Sequence, residues 1–173
     1  MIIKPVPLIV ALALTALPLA AHAEGPCEQL PALLSSVQTL TTQARALVQI
    51  DATSHPGVTG LAHSLNDLDY VLGTVIPAAR PYANSAASHG TPGGGAWGYQ
   101  VHAQVIYAEG LQAELNDAEH WLISAIAIAS GVGYQNSYDA VKTIVVAHDA
   151  ATSLDRAAML CYLAAAASQG GLH

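Results

Sequence analysis

The sequence predicts an all-α protein, an up-down-up-down antiparallel four-helix bundle. Apolar residues recur every three or four positions in four long stretches, which is the spacing of one helix face. Segments rich in turn-forming residues separate these stretches, and no stretch of any length shows the alternation typical of a strand. Because short connections join long amphipathic helices, consecutive helices are expected to be antiparallel neighbours.

The first predicted helix runs from about Pro26 to Ile50. Its inward stripe consists of Leu30, Leu33, Leu34, Val37, Leu40, Ala44, Leu47 and Val48. Residues 51–60, DATSHPGVTG, end it with one proline and two glycines. The second helix begins near Leu61, and its stripe consists of Leu61, Leu65, Leu68, Leu72, Val75 and Ala79. We expect Pro77 and Pro81 to kink or end this helix.

Residues 80–98, RPYANSAASHGTPGGGAWG, are expected to be the most irregular part of the chain. The Gly93–Gly95 run has little backbone preference, so it suits a flexible crossover or a lid over one end of the bundle. The neighbouring Trp97 and Tyr99 suit either anchoring of this segment in the core or a small aromatic contact surface.

The third predicted helix runs from about Tyr99 to Ser130 and the fourth from about Tyr138 to Ser168, before the glycines of QGG. The inward residues of the third are Val101, Val105, Ala108, Leu115, Ala118, Leu122 and Ala125. For the fourth, positions at 100° per residue place an apolar sector on Val141, Ile144, Val145, Ala151, Ala158, Met159, Cys161 and Tyr162.

Residues 1–23 have the pattern of a secretory signal peptide. Lys4 precedes an apolar stretch, and Ala21 and Ala23 form an A-x-A ending, so we expect cleavage after Ala23. The apolar stretch is short and interrupted by proline, which disfavours a membrane span, and an uncleaved N-terminal anchor is the alternative. The interpretation is an exported protein, periplasmic or secreted, with residues 24–173 as a single helical-bundle domain and no membrane span after cleavage.

Charge excludes two classes of partner. Without Lys4, four basic and twelve acidic residues remain, so the formal charge is −8. The basic residues, Arg45, Arg80, Lys142 and Arg156, form no cluster. Nucleic-acid binding requires clustered lysine and arginine, and adsorption to anionic lipid requires the same. The remaining partners are an unidentified protein or a small-molecule ligand.

Cys27 and Cys161 are predicted to form a disulfide. In the antiparallel bundle, the start of the first helix and the end of the fourth lie at the same end of the molecule, and exported chains retain disulfides. Two buried thiols, or a thiol used between chains, are the alternatives. A redox role would normally use a close C-x-x-C pair, which the sequence lacks.

His148 and Asp155 fall inside the apolar sector of the fourth helix, seven residues apart with Thr152 between them. Both are therefore expected to be partly buried. A buried carboxylate without a partner is costly, so Asp155 should have one. The interpretations left open are a polar pair bonded to hydroxyls such as that of Thr152 or a neighbouring tyrosine, a ligand or metal site, and an error in the helix phase that leaves both groups in water.

Two further pairs have helical spacing. His63 and Asp67 are four residues apart and Asp117 and His120 are three apart, but each pair lies off the apolar stripe of its helix and is expected to be solvated. Together with Glu114 and His148 they fall in the same half of the bundle axis, where imidazole and carboxylate groups could bind a transition metal. The Glu-x-x-His motif of ferritin-like di-iron proteins is missing, so that family is not inferred.

Haem b is the other candidate cofactor, although no cofactor is the default expectation. There is no C-x-x-C-H motif for covalent attachment. His102 and Met159 are candidate axial ligands at similar depth, with Met159 expected to point inward and His102 borderline. Since a methionine in an apolar stripe is usually part of the core, the packing interpretation competes with this one.

An enzyme is the less favoured class. The sequence has no G-x-S-x-G motif, no unpaired cysteine to act as a nucleophile if the disulfide forms, and no phosphate-binding glycine loop between a strand and a helix. The function inferred from sequence is an exported helical-bundle binding or interaction protein of unknown ligand. The alternative is a metal- or haem-binding bundle that uses its histidines with carboxylates or methionine.

Overall fold

The computed structural model describes residues 25–89, 95–128 and 133–168, and all their regular secondary structure is helical. In chain order the elements are α1 (Leu30–Ser54), α2 (Thr59–Tyr70), a π-helical turn (Val71–Val75), α3 (Ile76–His89), α4 (Gly95–Ile128) and α5 (Gln135–Ser168). The segment from α2 through the π-helical turn to α3 is continuous and is called the second rod here. The described chain therefore consists of four rods.

The four rods form a closed ring of neighbours. Among the described residues, α1 packs on the second rod and on α5, α4 packs on the same two elements, and neither diagonal pair touches. Directions follow from contacts at both ends of each pair. Arg45 on α1 binds Asp69 on α2, whereas Gln38 on α1 binds Arg80 on α3. This is the predicted up-down-up-down antiparallel bundle.

The predicted disulfide is present. Cys27 and Cys161 are bonded, with their Cα atoms 4.9 Å apart, and both are buried. The bond joins the turn before α1 to the last third of α5. The antiparallel arrangement thus brings together two residues that are 134 positions apart in the chain.

The core is made of leucine, isoleucine, valine and many alanines. All seven residues predicted to face inward on the third helix are buried. The largest fully buried side chains are Leu30, Leu34, Val37, Leu61, Leu68, Ile76, Gln104, Leu111, Leu115, Leu122, Ile144 and Leu154. Among the residues that the structure describes, no helix combines the length and the apolarity that a membrane crossing requires.

The prediction that Pro77 and Pro81 would kink or end the second helix is wrong about its end, because the rod continues to His89. The π-helical turn stands immediately before α3, and the N–H of Ile76 donates to the carbonyl of Val71, five residues earlier. Pro77 is then the second residue of α3, inside the continuous rod, and its missing N–H leaves one helical hydrogen bond unmade. The widened turn relieves the crowding that a proline ring causes in a regular helix.

Other helix boundaries differ from the predictions by a few residues. A turn precedes α1, which extends to Ser54, while α4 begins at Gly95 and α5 at Gln135. Much of the segment predicted to be irregular, residues 80–98, is helical. Residues 1–24, with the predicted signal peptide, and residues 90–94, with two glycines of the proposed lid, lie outside the described residues. So do the side chains of Trp97 and Tyr99.

A polar network closes the end of the bundle opposite the disulfide. The Asp51 side chain, 2% exposed, accepts hydrogen bonds at 2.7 Å from Asn136 Nδ2, from the Ser137 N–H and from Ser137 Oγ. The carboxylate thus stands at the N-terminus of α5, where a negative charge is favoured. His55 stacks on Tyr134 with ring centroids 4.5 Å apart, so α1 is tied to α5 here as well.

Candidate functional site

His148 and Asp155 both lie on α5 and are half-buried, as expected. Oδ1 of Asp155 is buried without a hydrogen bond to any described residue, so the expectation that Asp155 has a partner is wrong for this oxygen. The Thr152 hydroxyl does not reach it. Thr152 donates instead to the carbonyl oxygen of His148 at 3.0 Å, the local backbone bond that threonine commonly makes inside helices.

His63 and Asp67 lie at the seam between α2 and α4. The seam is tight, since a Cβ placed on Gly60 would lie 2.7 Å from the carbonyl oxygen of Trp121. One turn further along α2, the His63 ring stacks on the Trp121 ring with centroids 4.5 Å apart. The edge of the same indole faces His120 at 5.9 Å. This close approach brings Asp67 towards the acidic residues of α4.

The acidic residues of this seam influence one another. The pKa of Asp67 is raised, mainly by burial and then by the charge of Asp117, while His63 opposes the rise. The pKa of Glu114 is also raised, by burial and by the charges of Asp67 and Asp117. Oδ2 of Asp67 is buried without a hydrogen-bond partner among the residues that the structure describes. His63, Asp117 and His120 are exposed as predicted, but Asp67 is not fully solvated because the tight seam covers one of its oxygens.

The six residues proposed for a ligand or metal site do not all come together. His63, Asp67 and Asp117 share the seam, whereas His148 and Asp155 are on α5, which the described part of the second rod does not touch. Within the described residues, no group of three or more histidine, cysteine, aspartate or glutamate side chains is arranged to hold a metal ion. The metal hypothesis stays a prediction, and elemental analysis of the protein purified from its native compartment tests it.

His102 and Met159 lie near each other along the bundle axis, but neither points into the core. His102 is exposed, and its ring contacts that of Tyr162 at a centroid distance of 5.9 Å. Met159 is 43% exposed, so the expectation that it points inward is wrong. A haem site through this pair stays a prediction, and the visible absorption spectrum of the purified protein tests it.

The wrong prediction that Met159 points inward has a physical cause in the residue pattern of α5. The residues that α5 buries are mostly small: Ser137, Ala140, Ile144, Ala147, Ala151, Leu154, Ala157, Ala158, Cys161 and Ala165. Val145, which was also predicted to face inward, is exposed. Since large apolar residues occur on both sides of this helix, the apolar pattern alone does not fix which side is buried.

Large apolar side chains therefore cover the solvent side of α5. They form two groups, a first group of Tyr138, Val145 and Val146 and a second group of Met159, Leu160 and Leu163, all exposed. Leu160 is 51% exposed, and Val146 and Leu163 are each 49% exposed. Between the two groups lies a polar stretch of Asp149, Thr152, Ser153 and Arg156. We call the two groups and this stretch together the outer face of α5.

The polar stretch of the outer face forms few hydrogen bonds and ion pairs with the rest of the described chain. The Thr152 and Ser153 hydroxyls donate to the carbonyl oxygens of His148 and Asp149 at 3.0 Å. Arg156 forms no ion pair with any described residue. The hydroxyls are thus already bonded, while the charges of Asp149 and Arg156 remain available to another molecule.

The sequence pattern did not identify the outer face, nor the buried polar residues Gln104 and Ser64. Gln104 is fully buried on α4, and within the described part of the chain neither its side-chain amide atoms nor the buried Ser64 hydroxyl on α2 has a hydrogen-bond partner. The signal for the outer face was present in the sequence. The alanines of α5 repeat at three and four positions, and valine, leucine and methionine fall between them.

No protein-family model matches this sequence, and no curated protein and no solved structure is significantly similar to it.

Proposed function

We propose that this chain is an exported helical-bundle protein, periplasmic or secreted, that binds a partner through the outer face of α5. The observation that carries the proposal is the placement of residue sizes on this helix. Most of the residues that it buries are alanines, while Val145, Val146, Met159, Leu160 and Leu163 are about half exposed outside. A helix that only completed the bundle would gain stability from the opposite placement.

The outer face is suited to binding because covering it would remove much apolar surface from water. Full burial of an exposed leucine or methionine side chain is worth about 1.5–3 kcal/mol. Since the three residues of the second group are about half exposed, covering each of them would contribute roughly half of that. Contiguous exposed apolar surface on soluble proteins marks interaction sites. The polar stretch between the two groups supplies the charges that would orient a partner.

Export is supported by the N-terminal residue pattern and by the disulfide, a bond that persists in oxidising compartments. The test is mass spectrometry of the protein from fractionated cells of its native host. We expect the exported fraction to begin at Glu24, with Cys27 and Cys161 bonded. A chain found in the reducing cytosol with its first 23 residues retained would refute export.

The binding proposal is tested by photo-crosslinking in the native host. A benzophenone amino acid replaces Val146 on the outer face of α5, and in a matched control it replaces the exposed Asn66 on α2, on the diagonally opposite rod. We expect a discrete adduct from position 146, none from position 66, and loss of the adduct when Leu160→Glu places a charge on the same face. Mass spectrometry then identifies the adduct.

The possible crosslinking results distinguish binding through the outer face from its absence. Equal labelling from both positions, or no adduct from position 146, would contradict binding through the outer face. An adduct that contains only this chain and one that contains a different protein both support binding, and they differ in what they say about the partner.

A further inference from the structure

We propose that the partner on the outer face of α5 is a second copy of this chain, with the two α5 helices antiparallel about a two-fold axis. This inference rests on the proposed function, since it names the occupant of the same face. The axis would pass between Thr152 and Ser153.

A two-fold interface must be complementary to itself, because each residue meets its partner twice. Asp149 and Arg156 have opposite charges, are both exposed, and lie at equal distances on either side of the proposed axis. The axis therefore places Asp149 of each copy opposite Arg156 of the other. Neither side chain has an ion pair within the described part of its own chain, so the association costs no existing ion pair.

The apolar residues obey the same symmetry. The pair Val145 and Val146 and the pair Met159 and Leu160 are centred seven residues before and after the axis, which is about 10 Å along the helix in each direction. In the antiparallel arrangement Val145 meets Leu160 and Val146 meets Met159 of the second copy. The two valines of each copy thus cover Met159 and Leu160 of the other, and Asp149 and Arg156 lie between these apolar pairs.

The residues at the axis allow two helices to approach closely. Thr152 and Ser153 have small side chains, and their hydroxyls already donate to backbone carbonyls of α5. They can be buried between two helices without leaving a donor unsatisfied. A large or unbonded polar residue at this position would oppose the pairing.

The charge of the face also permits self-association, which a chain of formal charge −7 would otherwise resist. Lys142 and Arg156, two of the five basic residues of the chain, lie on the solvent side of α5. They balance Asp149 and Asp139, and Lys142 binds Asp139 at 2.9 Å. The acidic excess of the chain therefore lies away from this helix surface.

The experiment is a charge-swap series followed by sedimentation equilibrium of the full disulfide-bonded chain. We expect the wild-type chain to be a dimer at concentrations of roughly 0.1 mM and above. Asp149→Arg and Arg156→Asp should each raise the dimer Kd at least about tenfold, because each creates two like-charge contacts. The double variant, with both substitutions, should return the Kd to near the wild-type value.

Asn66→Arg on the opposite rod is the control and should leave the Kd unchanged, and circular dichroism verifies that each variant is folded. A monomeric wild-type chain would overturn the inference, and so would a dimer whose Kd does not respond to the single charge reversals or is not restored by the double variant. If the chain is monomeric but Val146 crosslinks to a different protein, the inference fails and the proposed function survives. If it is monomeric and Val146 gives no adduct, both fail.

Discussion

Three donors surround the carboxylate of Asp51, a single residue that holds two helices together. Its oxygens accept from Asn136 and twice from Ser137, at the start of α5. In the sequence Asp51 is only one acidic residue in a turn-rich segment, and its partners lie 85 and 86 positions away. Nothing local to residues 51–60 identifies those partners, so this contact could not be predicted.

Asp51→Ala should destabilise the fold by about 2–4 kcal/mol, because it leaves the buried Ser137 N–H and hydroxyl without an acceptor. Urea denaturation measures the loss. The matched control is Asp69→Ala, which removes an exposed ion pair with Arg45 at 2.5 Å and should cost less than about 1 kcal/mol. Equal losses for the two variants would show that the network around Asp51 contributes nothing special.

The carboxylates at the seam between α2 and α4 make the stability of the fold depend on pH. Because the pKa of Asp67 is higher in the folded chain than in the unfolded chain, its contribution to stability is present below the unfolded value, about 4, and is lost as pH rises through the folded value. Asp67→Asn should therefore flatten the fall in stability that begins above about pH 4 and raise the Tm at neutral pH.

Thermal melts across this pH range test the effect, with Glu109→Gln, at an exposed acid on α4, as the control that keeps the wild-type slope. A slope that Asp67→Asn leaves unaltered would mean that Asp67 keeps an ordinary pKa. The sequence predicted the grouping of His63 with Asp67 from their spacing, but not the covering of Asp67, because that depends on how closely α4 approaches α2.

At the scale of an element, the close approach of α2 to α4 depends on one glycine. A Cβ on Gly60 would lie 2.7 Å from the Trp121 carbonyl oxygen and 2.9 Å from Ala125 Cβ, so one of the helices would have to move. We expect Gly60→Ala to destabilise the fold by about 1–3 kcal/mol. Chemical denaturation measures it.

Gly110→Ala provides the contrast within α4. A Cβ at Gly110 meets nothing within 4 Å, so the better helix propensity of alanine should stabilise the fold by about 0.5–1 kcal/mol. Substitutions of the same chemistry should thus act in opposite directions. A stabilising Gly60→Ala would mean that the seam is looser than these distances indicate.

The helices themselves were predictable, because alternating turns and long periodic stretches identify four rods. Two features of these elements were not. Pro77 follows a π-helical turn, after which the helix continues. No residue pattern predicts that a helix will widen before a proline in this way. The prediction that Val145 and Met159 face inward on α5 was wrong. Because large apolar residues occur on both sides of this helix, the periodicity does not show which side is buried.

For the whole molecule, the disulfide should make the largest single contribution to the free energy of unfolding that a chemical reagent can remove. The chain-entropy model gives an upper value of about 5 kcal/mol for a loop of 134 residues. Reduction, or replacement of both Cys27 and Cys161 by serine, should lower the Tm by several degrees while the helical circular dichroism signal is kept below the transition. A Tm that does not change on complete reduction would contradict this expectation.

At this scale the sequence predicted most, because the topology follows from the order and length of the helices. The antiparallel bundle required Cys27 to lie beside Cys161, and the two are bonded. The outer face of α5 could not be predicted, for a different reason. The sequence shows that α5 contains more apolar residues than one stripe needs, but only the packed structure shows which of them the other rods leave exposed.

The bond between Cys27 and Cys161 makes the backbone from one cysteine to the other a closed covalent circle. A protease that cuts this circle once, for example in the short His55–Val58 connection between α1 and α2, opens it without releasing a piece. The nicked molecule would migrate at its full mass until a reductant is added. A bundle with this circle can therefore survive a single proteolytic event as a two-chain protein.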